Sequence, residues 1–366
     1  YGAGANGRTS LNPSMLDATT GLPNVGRFRR AYGMPLLGQQ VLDYNGTVGT
    51  YSPNINNVKD LYQIGTVSTN TIAISRATDK NHLRLSYSNT LGDHVMDRME
   101  EVNRNNLAFR FSQDITEKIK INTNLIYVNQ KVNNRMYRNG SQRNPASNYM
   151  YMSPNMSSEN LFPYKDENNN AFNYEGDFNN PYWNLFENSN QDVTNRVVAN
   201  LTFNWIILKG LNLKTRINSA INRVERSEFN NMGASYDPDG LYREISTSVR
   251  NSNYEAILNY TKKFNDFSIV SLLGVNRFDL RRSGTRQTAI SLLQRDIKSL
   301  SNGDEFAPVI YLPNNKTINS IFSSISTGYK DTYFLDITGR NDWSSTLPSF
   351  TKYPPFSAVK ASWYLD

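Results

Sequence analysis

Residues that could carry acid–base, nucleophilic or metal chemistry are scarce in this 366-residue sequence. It has no cysteine and only two histidines, His82 and His94. This composition excludes thiol nucleophiles and cysteine-ligated zinc, and it leaves little material for histidine-based triads. The segment DPDG at 237–240 resembles the start of a calcium loop, but it lacks the later acidic ligand and the helical flanks of an EF-hand. We therefore expect no enzyme and no cofactor, and we interpret 237–240 as a plain turn, since nothing further supports loop-bound calcium.

Side chains that bind polar ligands are instead abundant. The sequence contains 50 asparagines and 22 tyrosines. Many of them lie between Asn148 and Asn190, where the aromatic candidates are Tyr149, Tyr151, Tyr182 and Trp183. Aromatic faces can stack on sugar rings, and asparagine both donates hydrogen bonds to hydroxyl groups and accepts them. These four residues are therefore predicted to bind substrate, and the alternative is that they pack the loop upon itself.

The elements that must position these residues are β-strands, because apolar and polar residues alternate along many segments. From Leu211 to Ile221 the odd-numbered positions are mostly apolar, whereas the even-numbered positions are mostly Asn, Lys and Arg. A face lined by Asn, Lys and Arg cannot be the core of a soluble protein. Short turns join such segments into about eleven strands, the last of them near 356–365.

The connections between these strands alternate between short and long. An N-terminal loop region covers 1–66, and long loops are expected at about 132–194, 223–252, 279–317 and 341–355. Short turns at one end and long loops at the other are typical of outer-membrane barrels, and aromatic residues near the strand ends fit an interfacial girdle. We predict an all-β fold, a transmembrane antiparallel β-barrel over 67–366. A soluble β-sandwich or β-solenoid is the alternative, because a sandwich also alternates.

Composition excludes two further classes of protein. The longest unbroken apolar runs have four residues, far short of the roughly 20 that a spanning helix needs. The net charge of +7 is spread along the strands, so nucleic-acid binding is not expected. An odd number of strands cannot close a single-chain bacterial barrel, so we expect the chain to be part of a wider one.

Several segments resemble the SusC-like TonB-dependent transporters. NINNVKDL at 54–61, followed by Gly65, resembles the family's NNVKDFF stretch, with Leu61 in place of an aromatic residue. NPYWN at 180–184 resembles its NPYW loop, and LDITGRNDWSSTLP at 335–348 is very similar to its GRNDWSSTLP signature. These matches keep their order and span nearly the whole chain.

The resemblance implies a 22-strand barrel with a plugged lumen, of which this chain supplies about half the wall. It also implies the outer membrane of a Gram-negative bacterium, contact with outer-membrane lipid, and a SusD-like surface lipoprotein as a lid over the loops. Energy would come from the TonB–ExbB–ExbD complex through the plug. The plug and the TonB box have no counterpart in this sequence.

The expected function is import of oligomeric nutrients, with glycans as the first candidate. Peptides, siderophores or vitamins are alternative substrates, and a structural or adhesive surface protein is the alternative from another class. In the signature, Arg340, Asn341, Asp342 and Trp343 join the substrate-binding candidates. Arg340 is predicted to face the lumen near the end of its strand, and Trp343 to anchor the base of the loop. We interpret the excess of Arg and Lys on the lumen side as partners of plug carboxylates rather than of an anionic substrate.

Overall fold

The structure is a computed structural model that describes residues 16–24, 35–43, 46–57, 59–137, 140–150, 154–173, 179–347 and, as backbone, 356–365. Within these residues, twelve of the fourteen strands form a single antiparallel sheet, and the first two form a small sheet of their own. The strands are β1 (Gln39–Leu42), β2 (Val48–Tyr51), β3 (Val67–Ala77), β4 (Asn81–Gly92), β5 (Glu101–Thr116), β6 (Ile119–Asn133), β7 (Ser189–Leu208), β8 (Leu211–Asn230), β9 (Leu241–Phe264), β10 (Phe267–Leu292), β11 (Gly303–Tyr311), β12 (Asn314–Tyr329), β13 (Tyr333–Ser344) and β14 (Phe356–Leu365).

Helical structure is confined to short segments. The two α-helices are α1 (Pro145–Met150) and α2 (Pro181–Phe186), and 3-10 turns cover Lys59–Leu61, Ser158–Leu161 and Leu300–Asn302. No helix in the described part of the chain has the length and apolarity to cross a membrane.

The large sheet is a meander in which β3 to β10 pair in chain order, followed by β12, β13 and β14. β10 has two partners on the same edge. Its first part, Phe267–Arg282, pairs with β12, and the part from Thr285 onward pairs with β11. β11 lies inside the predicted loop 279–317, which is why the sheet has twelve strands rather than the eleven expected.

The register separates the side chains into two faces of opposite character. Leu201, Ile217 and Tyr254 lie directly opposite one another on three neighbouring strands and form part of an apolar face. Asn200 and Asn218 pair on the reverse face, where their side chains are hydrogen bonded. Large side chains of the apolar face are about half exposed, for example 45% for Ile217. An apolar face left open across so many strands fits lipid rather than water. The predicted fold class, a transmembrane antiparallel barrel wall, is confirmed.

Aromatic side chains mark the short-turn end of the apolar face. Phe264, Phe267, Tyr329 and Tyr333 form a row with ring centroids 5.9, 4.6 and 6.4 Å apart. Tyr254 lies on the same face of β9, ten residues before Phe264 and about 33 Å from it along the strand. With a strand tilt of about 45°, this gives a height near the ~25 Å expected for the apolar band of an outer-membrane barrel.

The strands continue well beyond this band, so the loops are shorter than predicted. β8 ends at Asn230 and β9 begins at Leu241, which leaves ten residues, 231–240, instead of the expected 223–252. β13 likewise runs to Ser344, past the predicted strand end near Arg340. The reason is physical: above the lipid both faces meet polar surroundings, so alternation disappears while the backbone ladder continues.

Candidate ligand-binding surface

The longest connection, between β6 and β7, folds into a compact unit with its own core. Tyr149 from α1 and Met156 pack with residues that come from distant parts of the chain, including Leu61 and Met96. Methionine suits such an irregular core because its unbranched side chain adapts to gaps. We call this unit the loop core; its buried members are Leu61, Met96, Met99, Tyr149, Met156, Leu161 and Leu185.

Buried asparagines hold the loop core together. Asn180 caps α2: its Oδ1 accepts a hydrogen bond from the Tyr182 amide at 3.0 Å, while its Nδ2 donates to the Leu161 carbonyl at 2.7 Å. Asn184 and Asn148 both donate to the carbonyl of Gln142, at 2.9 and 2.7 Å. A share of the unusual asparagine content therefore satisfies backbone groups inside the loops rather than a ligand.

Two residues tie neighbouring loops to this unit. Arg295, in the loop after β10, donates to the Asn169 carbonyl at 2.8 Å and to the Met232 carbonyl in the loop after β8. Asn231 donates to Glu187 at 2.9 Å and to Asp296 at 2.7 Å. The loops 134–188, 231–240 and 293–302 are therefore joined by side-chain hydrogen bonds into one surface.

An aromatic cluster lies on that surface. Tyr182 packs against Phe162 and Phe186, with centroids 4.5 and 5.6 Å away, and Tyr164 lies 5.3 Å from Phe186. The Arg98 guanidinium covers Phe186 at 4.8 Å. Phe162 is 45% exposed, so one edge of the cluster is open to solvent. We call these four rings the aromatic ladder; it offers stacking faces to a sugar, a peptide side chain or a protein partner.

The four aromatic candidates in this loop have different surroundings. Tyr149 and Trp183 are 1% and 0% exposed, so their side chains pack the loop interior. Burial, reinforced by the charge of Asp60, raises the pKa of Tyr149 well above its usual range. Tyr182 is half-buried in the aromatic ladder, and Tyr151 lies outside the described residues. A substrate role for any of them stays a prediction.

The DPDG segment forms a turn. The Gly240 amide donates to the Asp237 carbonyl at 3.1 Å, and Gly240 has a φ of +70°. The Asp237 carboxylate accepts a hydrogen bond from Asn230 at 3.0 Å and lies 3.6 Å from Arg143. Its oxygens therefore serve contacts between the loops.

The signature residues of β13 divide between the two faces of the sheet. Arg340 lies on the polar inner face, opposite Phe322, and its Nε is 2.9 Å from the Asp342 carboxylate. Ser320 accepts a further hydrogen bond from Arg340 at 3.1 Å. Side chains alternate between the two faces along β13, so Asn341 and Trp343, at odd-numbered positions, lie on the outer face. Arg340 and Asp342 can therefore meet a ligand in the lumen, whereas Asn341 and Trp343 point away from it.

Other charges on the inner wall also have partners within the wall. Arg216 lies directly opposite Glu255, with Nη1 and Oε1 3.6 Å apart. Arg216 and Arg340 therefore each have a carboxylate partner within the wall, although the sequence analysis expects such arginines to pair with plug carboxylates. Asp342 is two residues from Arg340 on the same strand, whereas only the strand register shows that Glu255 faces Arg216.

A third carboxylate lies above the apolar band, where the long loop leaves β6. Asp192 is 4% exposed and accepts hydrogen bonds from Arg226 at 2.6 Å and from Arg135 at 2.7 Å. Burial acts to raise the pKa of Asp192, but the hydrogen bonds and charges of the two arginines outweigh it and hold that pKa below its usual value. Asp192 thereby anchors the start of the loop to β7 and β8.

Comparison with known proteins shows similarity at the level of structure. No protein-family model and no curated relative matches the sequence. The structure of the RagAB peptide transporter is similar, with a TM-score of 0.68 and 16% identity over 86% of this chain and 35% of that one. The RagAB peptide importer in its open-open state gives a TM-score of 0.66 and 18% identity over 84% of this chain and 34% of that one.

The chain thus spans about a third of the length of the solved structures it resembles. Barrels of this kind lie in the outer membrane of Gram-negative bacteria, so the fold agrees with the predicted location. The chain has the fold of one part of a RagAB-type transporter barrel, which confirms the resemblance to SusC-like TonB-dependent transporters at the level of fold.

Proposed function

We propose that the chain forms part of the wall of an outer-membrane, TonB-dependent importer of oligomeric nutrients. The observation that carries the proposal is the division of the sheet into an open apolar face and an inner face rich in Asn, Arg and acidic groups. A wall of this kind separates lipid from a polar passage. No bond is made or broken in this function; the substrate is bound and moved.

The connected loops supply the substrate-facing entrance in this proposal. Ligand binding at the loops would favour one conformation over another, and energy from TonB–ExbB–ExbD would open the passage through the plug. The aromatic ladder provides an exposed edge on which a SusD-like surface lipoprotein could sit, since aromatic residues are enriched at protein interfaces. The similarity to RagAB supports a partner of this kind.

Two substrate classes fit the polar wall. Glycans suit asparagine side chains and stacked rings, which recognise hydroxyl groups and sugar faces. Peptides are supported by the structural similarity to a peptide transporter, and asparagine amides pair equally well with peptide groups. Both classes are polar oligomers, and the polar side chains of the inner face can form hydrogen bonds with either one.

The test is uptake by cells that carry the full-length protein, compared with a deletion strain and with a strain lacking TonB. Cells are offered fluorescent glycan fragments and fluorescent peptides of similar size. We expect accumulation of one class, lost in both mutant strains. Equal accumulation in all three strains would refute import, and surface attachment without TonB dependence would instead favour the adhesive function.

A further inference from the structure

Two arginines face each other on the outer surface of the barrel wall. Arg250 of β9 and Arg281 of β10 occupy directly opposite positions in the ladder. They share the parity of Tyr254 on β9 and Val275 on β10, so they lie on the outward face, and both are exposed. Like charges placed directly opposite on adjacent strands destabilise a sheet. Their juxtaposition therefore needs a compensating negative charge.

The wall itself does not supply enough negative charge. Asp279 lies beside them, but its carboxylate is engaged by Arg277 and by Thr317, each at 2.7 Å. Arg281 is 3.8 Å from Asp279, beyond hydrogen-bonding distance. Among the residues that the structure describes, no carboxylate forms an ion pair with Arg250. Asp279 thus serves Arg277 and Arg281, and Arg250 has no ion-pair partner among the described residues.

The height of this pair matches the lipid headgroups. Arg250 is four residues beyond Tyr254, where the apolar band ends. At about 3.3 Å per residue and a tilt of about 45°, it lies about 9 Å above the band. That is the polar zone of the bilayer, outside the hydrocarbon core. Ser248 and Ser283 face each other at the next outward position and add hydroxyl donors.

We propose that Arg250 and Arg281, with Ser248 and Ser283, bind the phosphate group of an anionic lipid in the outer leaflet. The guanidinium group forms two parallel hydrogen bonds to phosphate, and an anion between the two arginines replaces repulsion by attraction. A lipid is the better occupant than a soluble anion, because the membrane holds its phosphate at this height beside the wall. This inference rests on the fold and is independent of the nutrient imported.

The test uses the full-length protein in mild detergent and native mass spectrometry with three probes. The probes are phosphorylated lipid A, its dephosphorylated form and inorganic phosphate. We expect selective retention of phosphorylated lipid A, and at least about tenfold weaker binding by the double variant Arg250→Gln/Arg281→Gln, since two charge-assisted contacts are lost. Arg282→Gln is the matched control: it is adjacent in sequence but points to the inner face, so it should bind like the wild type.

Folding of each variant is checked by its heat-modifiable migration on gels, and Arg250→Lys/Arg281→Lys retains the charge if the glutamine variant fails to assemble. In that case, the lysine variant should bind phosphorylated lipid A more weakly than the wild type but still prefer it over the dephosphorylated form. Equal binding of the two lipid forms would overturn the proposal. So would unchanged binding by the glutamine double variant, or binding of inorganic phosphate without binding of the lipid.

Discussion

The ring of Phe322 lies against the backbone of Gly274 on the inner face of the wall. The two residues are directly opposite each other on β12 and β10, and a methyl group at position 274 would overlap the ring. The Arg340 guanidinium lies over the same ring at 5.5 Å. A glycine on one strand, an aromatic ring on the next and an arginine on the third therefore form a stack that places Arg340 beside Asp342.

The first prediction concerns this stack. Gly274→Ala should push Phe322 away from β10 and cost about 1–3 kcal/mol of stability, because a packed ring has to move. The unfolding temperature of the full-length protein, followed by heat-modifiable migration on gels, measures the loss. Gly339→Ala is the control, since the nearest atom to its new methyl group would be Ser323 Oγ at 3.9 Å. Equal stability of the two variants would show that the Phe322 contact is not tight.

The second prediction concerns pH. The pKa of Asp192 is lower in the folded chain than its ordinary value of 3.8, so its contribution to stability is present above that value. The contribution is lost as the pH falls through the lowered pKa. Asp192→Asn should destabilise the protein at neutral pH by about 1–3 kcal/mol. The loss should lie toward the lower end of this range, because both arginines are partly exposed and solvent screens their charges.

Denaturant unfolding between pH 2 and pH 7 measures this effect. The wild type should lose stability below about pH 4, and the difference from Asp192→Asn should shrink there. Asp304→Asn, at an exposed position, should leave the curve unchanged. A constant difference between the wild type and Asp192→Asn at every pH would contradict the role assigned to the carboxylate.

The third prediction separates the two faces of the signature. Arg340→Ala should lower substrate uptake, because it removes an inner-face charge and leaves Asp342 unpaired. Trp343→Ala should keep uptake within about twofold of wild type, because position 343 lies on the outer face. Uptake by cells with equal amounts of assembled protein is the measurement. Loss of uptake with Trp343→Ala in a normally assembled barrel would show that the outer-face tryptophan matters for the substrate.

The fourth prediction concerns the orientation of the loops. The connection between β6 and β7 should face the outside of the cell, where the exposed Glu167 is open to a protease that cleaves after glutamate. Glutamyl endopeptidase added to intact cells should cut after Glu167 and leave Glu117, which is exposed in the short turn between β5 and β6, intact. Cleavage that requires access from the periplasm would reverse the orientation.

Most of the wall was predictable from sequence, because alternation between lipid and lumen is a local property. The segment from Leu211 to Ile221 shows it clearly. β11 could not be found in this way, since its sequence GDEFAPVIY does not alternate and contains a proline. The extension of β8 to Asn230 was missed because its residues above the band are polar on both faces.

The candidate site was less predictable for a different reason. Tyr149 and Trp183 are predicted to bind substrate, and the structure shows that both are buried in the loop, which the sequence did not indicate. Tyr149 packs with Leu61 and Met96, which are distant in sequence, so no local pattern reveals the contact. The partner of Arg216 likewise depends on strand register, because Glu255 lies on the neighbouring strand, and a shift of one residue would place that side chain on the other face.

The central claim is that β8 has one face in lipid and the other in a polar lumen. Environment-sensitive spin labels placed singly along β8 of the full-length protein in bilayers test it most directly. Labels replacing Leu213, Thr215 and Ile217 should be accessible to oxygen dissolved in the hydrocarbon. Labels replacing Lys214, Arg216 and Asn218 should be accessible to a water-soluble relaxation agent. Water accessibility, or burial in protein, at all six positions would contradict the membrane barrel and the import function proposed from it.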